Sequence, residues 1–255
     1  MRRQLAALLV VALVAIAGCA GASGPTADGS NGSSGDPIYE TPLDAEAVAD
    51  AHVDALSDAG SYTIESDATQ TIASQNQTVD TSGVVRGDTA SGAVFSRTEG
   101  RQQTVELYTD GEGTAYQRFA VGNQTQYQDV SGQAGNATSY ARTTVSSFVG
   151  LFDFSYEGTE DVDGETVHVY EAEGAGSLNT SSPAFGQLNE SNIDEASATL
   201  HIRDDGVVTT AGYDVTVTVQ DRTQSVNTTQ RFTAIGETDV AEPDWLSEAT
   251  GNSSQ

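Results

Sequence analysis

The stretch from Val207 to Gln220, VVTTAGYDVTVTVQ, alternates along most of its length. Successive side chains of a β-strand point to opposite faces, so Ala211, Tyr213, Val215, Val217 and Val219 fall on one side and Gly212, Asp214, Thr216 and Thr218 on the other. Such a strand buries one face and shows the other to water. The same period of two runs through most of the chain from Ser61 onward. It predicts strands at 61–72, 78–87, 91–98, 102–109, 114–121, 124–130, 153–161, 165–172, 196–203, 207–220 and 226–236. Gly87-Asp88, Asp110-Gly111, Gly122-Asn123 and Asp163-Gly164 supply turns between them. Strands joined by turns this short run antiparallel.

Three stretches change to helical spacing. Thr41-Pro42-Leu43-Asp44 has a capping residue, a proline at the first helical position and an acid three residues after the cap, the pattern of a capping box. Val48, Ala51, Ala55 and Ala59 follow at helical spacing and Gly60 supplies a stop, which predicts a helix over 42–59. A second helix is expected at 138–152, where Val145, Phe148, Val149 and Phe152 trace one face. A short third one is expected near 183–190, after Ser182-Pro183. About eleven antiparallel strands and a few helices make one α+β domain over 41–247, built on a single large curved sheet. Residues 248–255 read as a disordered tail.

The opening residues, MRRQLAALLVVALVAIAG, set two arginines before an uncharged apolar run. At 1.5 Å per residue the run from Leu5 to Gly18 reaches about 21 Å, short of the roughly 30 Å hydrocarbon core that a spanning helix crosses. It therefore reads as a signal peptide over 1–18. Ile16-Ala17-Gly18-Cys19 resembles the lipobox of bacterial and archaeal lipoproteins, and the resemblance implies cleavage between Gly18 and Cys19 and thioether lipidation of Cys19. The other reading is an incidental cysteine in a signal peptide removed further on. Arg2-Arg3-Gln4-Leu5 resembles a twin-arginine export signal. Residues 19–40 combine the cysteine with a Gly/Ser-rich tether whose 20 or so residues give a mean reach of about 25 Å. These readings place the chain on the external face of the cell membrane, lipid-anchored. Cys19 is the only cysteine, so the domain has no internal disulfide and rests on its own core.

The charge is one-sided: 37 acidic residues face ten basic ones, every one an arginine, for a formal net charge of -27. This excludes nucleic acid as a partner and strains the compact state in dilute buffer. At about 1 M salt the Debye length falls to about 3 Å and the repulsion is screened. The composition resembles that of proteins from salt-in haloarchaea.

Eight of nine asparagines stand in N-x-S/T, where chance placement would give about two. Asn76, Asn123, Asn136, Asn179, Asn189 and Asn227 lie inside the domain and at or near predicted turns. They are candidates for N-glycosylation.

Chemistry finds little footing. Without lysine there is no Walker A loop and no Schiff base. H-E-x-x-H and G-x-S-x-G are absent. Asp161-Val162-Asp163-Gly164-Glu165 lacks the length and glycine position of a calcium loop, so no metal site is read. Gly111-Glu112-Gly113 reads as a turn. His52 is expected to pack at the edge of the first helix's apolar face, and His168 and His201 on solvated strand faces. No cofactor and no enzymatic activity are expected.

The order "AHVDALSDAGSYTIE", "LYTDGEGTAYQRF", "SSFVGLFDF", "DVDGETVHVYEAE" and "ATLHIRDDGVVTTAGYDVTVTV" resembles the LolA/LppX/LprG-like superfamily of lipoprotein and lipid carriers, and more narrowly an uncharacterised haloarchaeal lipoprotein family. The resemblance implies a strongly curved half-barrel sheet with helices over its concave face and an apolar cavity for a lipid or other hydrophobic ligand. Phe148, Phe152, Phe154, Tyr213, Val215 and Val217 are its candidate lining, and plain core is the competing reading. The alternative function is a non-enzymatic surface glycoprotein, an envelope or accessory interaction protein with a filled core. The sequence names no protein partner.

Overall fold

The structure, a computed structural model, describes residues 36–73, 76–182, 185 and 188–252. The signal peptide, Gly18, Cys19 and most of the tether lie outside the described residues. Eleven strands form one open, curved antiparallel sheet. A first meander comprises β1 (Ser61–Ile72), β2 (Gln77–Asp88), β3 (Val94–Glu99), β4 (Gln103–Thr109), β5 (Ala115–Val121) and β6 (Gln124–Asp129). A second comprises β7 (Ser155–Val162), β8 (Glu165–Glu173), β9 (Ile193–Arg203), β10 (Val208–Val219) and β11 (Arg222–Thr233). The two join where β1 pairs with β11, from Thr63↔Thr233 to Ile72↔Gln224, which leaves β6 and β7 as the edges.

Helix α1 (Ala45–Ala59) precedes the sheet, and α2 (Ala137–Val149) carries the chain from one edge to the other. Both cover the concave face. Val48, Ala49 and Leu56 of α1, and Ala137, Ala141, Val145, Phe148 and Val149 of α2, pack on Tyr62, Ile64, Tyr170, Leu200, Ala211 and Phe232. Tyr62 lies fully buried across β2, where a Cβ on Gly87 would meet its ring at 2.5 Å; only glycine fits there. Its hydroxyl donates to the Ala137 carbonyl at 2.6 Å and fixes the start of α2.

Several boundaries differ from the sequence reading. The cap of α1 is Asp44, whose carboxylate accepts from the amides of Glu46 and Ala47; Thr41 and Pro42 lie outside the helix. An acid three residues into a capping box is also a good cap by itself, and here the second role wins. Asn136 caps α2. The turn between β10 and β11 is two residues, Gln220 and Asp221, both at positive φ, so β11 starts at Arg222 and not at 226. The third predicted helix, near 183–190, falls half on residues outside the described ones; the described part of 174–192 holds 3-10 turns at Ala175–Ser177 and Glu190–Asn192. Residues 183, 184, 186 and 187 lie outside the described residues.

Of the disordered tail expected at 248–255, residues 248–252 are helical and 253–255 lie outside the described residues. Residues 246–252 form α3 (Leu246–Asn252), and Ala249 is fully buried. The helix lies against β5 and β6 on the convex face, where Trp245 stacks on Tyr127 at 6.1 Å and Tyr127 donates to Glu248 at 2.7 Å.

Candidate functional site

The concave face divides into a closed part and an open part. In the closed part the end of α2 and the segment after it bring Phe148, Phe152 and Phe154 together, with ring centroids 6.0 to 6.3 Å apart. Tyr213 of β10 stands 5.7 Å from Phe152, and Phe185, which the sequence reading did not single out, 6.4 Å on its other side. Val215 and Val217 belong to the same core. All six sequence candidates thus converge, but Phe148, Phe152, Phe154, Val215 and Val217 are at most 7 % exposed and share one packed cluster. They read as core that closes one end of the concave face.

The open part lies on β4 and β5. Directly paired residues share a face, and the row Ile64–Val85–Ser96–Leu107–Gln117–Gln128 leads from the helix-covered core across the sheet to the edge. The next row contains Val105, Phe119 and Gln126, and the one after it Val121 and Gln124. Leu107, Val105 and Phe119 are half-buried and Val121 is 53 % exposed; none belongs to the core packed by α1 and α2. An apolar strip bordered by glutamines therefore continues the concave face beyond its helical cover. Two buried polar atoms of β11 on this face, Thr228 Oγ1 and Gln224 Oε1, lack a hydrogen-bond partner.

The convex face behind the strip is polar. Arg97, Glu106 and Arg118 stand opposite one another on β3, β4 and β5. Glu106 is buried and receives Arg118 at 2.6 Å and Arg97 at 3.7 Å. One recess of about 440 Å³ lies chiefly on this side, lined by Asp67, Thr69, Asp80, Ser82, Glu99 and Arg101. Another, about 370 Å³, lies beside α1 among Asp54, Asp58 and Asp205. Neither has the character of an acyl-chain pocket.

The chain from the tether joins the domain at the end of the sheet that holds the β9–β10 turn. Tyr39 donates its amide to the Tyr170 hydroxyl at 3.0 Å, and that hydroxyl donates back to the Tyr39 carbonyl. Burial pushes the Tyr170 phenol up to about 12. Next to it His168 is 4 % exposed, between Asp204 at 2.7 Å and the Tyr156 hydroxyl at 3.2 Å, and so is not the solvated strand residue expected. The alternation of β8 was legible, but the N-terminal segment that helps cover its inner face was not. His52 is likewise fully buried. Its Nδ1 accepts from the Val208 amide at 3.0 Å, its ring stands edge-on to Phe232 at 4.4 Å, and burial pushes its imidazole down to about 3.

The sequon asparagines are spread over the surface. Asn76 and Asn123 sit in the β1–β2 and β5–β6 turns, Asn179 and Asn189 in the connection between β8 and β9, and Asn136 at the cap of α2. Asn227 is an exception to the expected turn placement: with β11 beginning at Arg222, it lies inside a strand, paired with Asp214 and Thr69. Among the described residues no group of three or more His, Cys, Asp or Glu is arranged to hold a metal ion, and no helix is long and apolar enough to cross a membrane.

A sequence model of one family matches residues 4–249. The chain belongs to DUF7537, a family of unknown function. No curated protein matches this DUF7537 chain. Among solved structures it is similar to LprF from Mycobacterium bovis, at 14% identity and a TM-score of 0.38, over 80% of this chain and 99% of that one. It is similar to the lipoprotein LppX from Mycobacterium tuberculosis at 14% identity and 0.38, over 78% and 98%. A LolA superfamily protein from Nitrosomonas europaea matches at 8% identity and 0.22, over 80% and 97%.

Proposed function

We propose that this chain is an exported, lipid-anchored lipoprotein, held at the external face of the cell membrane through Cys19, and that it binds a hydrophobic ligand, such as a lipid, on the concave face of its sheet. The observation that carries the reading is the strip of Val105, Leu107, Phe119 and Val121, apolar and outside the helical cover, on the same face as the core. Apolar surface left open in a patch marks a place where something binds. The aromatic cluster at Phe148 and Phe152 would close one end of the bound chain, and the protein would do no covalent chemistry on it. The acidic surface suits molar salt, where screening removes the self-repulsion of a chain with 37 carboxylates and ten arginines.

The tight packing of Phe148, Phe152 and Phe154 favours one other reading, a surface protein with a filled core that works through its outer face. Native mass spectrometry of the processed protein, purified in molar salt from the host that exports it, separates the two when paired with lipid extraction. Stoichiometric co-purified lipid supports the ligand reading; its reproducible absence supports the second. Anchoring is tested independently by Cys19→Ser, which is expected to release the protein or leave an unprocessed precursor. Normal processing with unchanged membrane retention would contradict it.

A further inference from the structure

The two ends of the sheet differ in what they display. At one end lie the β2–β3, β4–β5, β7–β8 and β9–β10 turns, and Tyr39 is seated there, its hydroxyl beside Gly206. At the other end lie the β1–β2, β3–β4, β5–β6 and β10–β11 turns and the connection from β8 to β9. Asn76, Asn123, Asn179 and Asn189 are all at this second end, remote from where the tether joins. Two of the three large apolar residues exposed among the described residues, Val121 at 53 % and Val219 at 42 %, are at the same end, and Val121 is two residues from Asn123.

The asparagines also differ in what their side chains already do. N-linked transfer requires an exposed Asn-x-Ser/Thr whose carboxamide nitrogen and downstream hydroxyl are both free to engage the transferase. Asn76 and Asn123 are exposed turn residues, and the hydroxyl of the Asn76 sequon, Thr78, meets Thr71 Oγ1 only at 3.4 Å, near the outer limit of a hydrogen bond. Asn189 is exposed, and its Nδ2 reaches Asn192 only at 3.5 Å, the outer limit of a hydrogen bond. Asn179 donates Nδ2 to the Gly150 carbonyl at 2.9 Å and accepts from the Ser181 amide. Asn136 caps α2, and the hydroxyl of its own sequon, Thr138, donates to its Oδ1 at 2.9 Å. Asn227 is held within β11 with Nδ2 on Asp214.

We propose that Asn76, Asn123 and Asn189 carry N-linked glycans that form a rim at the membrane-distal end of the domain, and that Asn136, Asn179 and Asn227 stay unmodified. The inference rests on the exported, tethered placement above but not on the ligand. In the transfer, the asparagine nitrogen attacks the anomeric carbon of a sugar carried on a polyprenyl phosphate. The N–C bond forms, the C–O bond to phosphate breaks, a proton leaves the amide for a base of the transferase, and the polyprenyl phosphate departs.

Site-by-site glycopeptide mass spectrometry of the full chain from its exporting host tests the assignment, with Cys19 processing measured on the same sample. Occupancy at Asn76, Asn123 and Asn189 alone is the expected result. The triple variant Asn76→Gln, Asn123→Gln, Asn189→Gln should remove all glycan mass from peptides of the domain, and Asn179→Gln should leave that mass unchanged. Occupancy at Asn136, Asn179 or Asn227 would show modification before folding and overturn the sorting. A processed, membrane-bound chain bare at all six overturns the inference and leaves the anchored reading intact. An unprocessed chain inside the cell overturns both.

Discussion

Across β8, β9 and β10 the inward row reads Tyr170, Leu200 and Ala211, none more than 4 % exposed; across β4, β5 and β6 the inward rows read Leu107–Gln117–Gln128 and Val105–Phe119–Gln126, half-buried or open. Both halves come from period-two strands joined by short turns. Only the first has α1 and α2 to complete it. The β3–β6 wing is secured from behind, by the Arg97–Glu106–Arg118 row and by α3 on Tyr127, which leaves its concave face free. The difference teaches that cover, more than pattern, decides which half is core and which half stays open.

The largest effect is expected where the cover is densest. Phe148→Ala should cost about 3–5 kcal/mol, the usual cost of truncating a buried aromatic ring, whereas Phe119→Ala on the open strip should cost well under half of that. Denaturant titration in molar salt reads both, and equal losses would erase the distinction between the halves. In the wing, Arg118→Ala leaves the buried Glu106 carboxylate with Arg97 alone and should cost about 3 kcal/mol. Replacing Glu106 and Arg118 together with glutamine and methionine should recover part of it, since the orphaned charge is gone.

His52 gives the covered half an acid sensitivity. Its folded pKa near 3 lies below the unfolded value of about 6.5, so between these pH values the unfolded chain binds the extra proton. Stability should therefore be full above pH 6.5 and fall toward pH 3 by up to about 1.4 kcal/mol per unit from this group. His52→Asn can keep an acceptor for the Val208 amide and should flatten that slope, which a series of melts across the window would reveal. The smallest effect concerns the strapped side. Tyr127→Phe removes one hydrogen bond to Glu248 and should cost about 1 kcal/mol, with faster hydrogen exchange confined to α3.

The sheet was largely legible in the sequence because alternation and turn residues are local signals, and β1, β5 and β8 lie within a residue of their predicted bounds. The β10–β11 turn escaped because Gln220-Asp221 does at positive φ what Asn-Gly usually does. α3 escaped because Trp245 finds Tyr127 only after β6 is in place. The six apolar candidates were gathered as read, but whether they line a void or fill it depends on how far α2 extends over the sheet. For the same reason Phe119 and Leu107 were not singled out: their period gave a face, and only the fold shows that the helices stop short of it.

The most direct measurement compares lipid bound per domain in the native protein and in the double variant Leu107→Ser, Phe119→Ser, both purified from the exporting host in molar salt and both shown to melt cooperatively. The expected result is near-stoichiometric lipid on the native protein and its loss, by tenfold or more, from the variant. Equal lipid on both, or none on either, would contradict the assignment of the open concave strip as the binding surface.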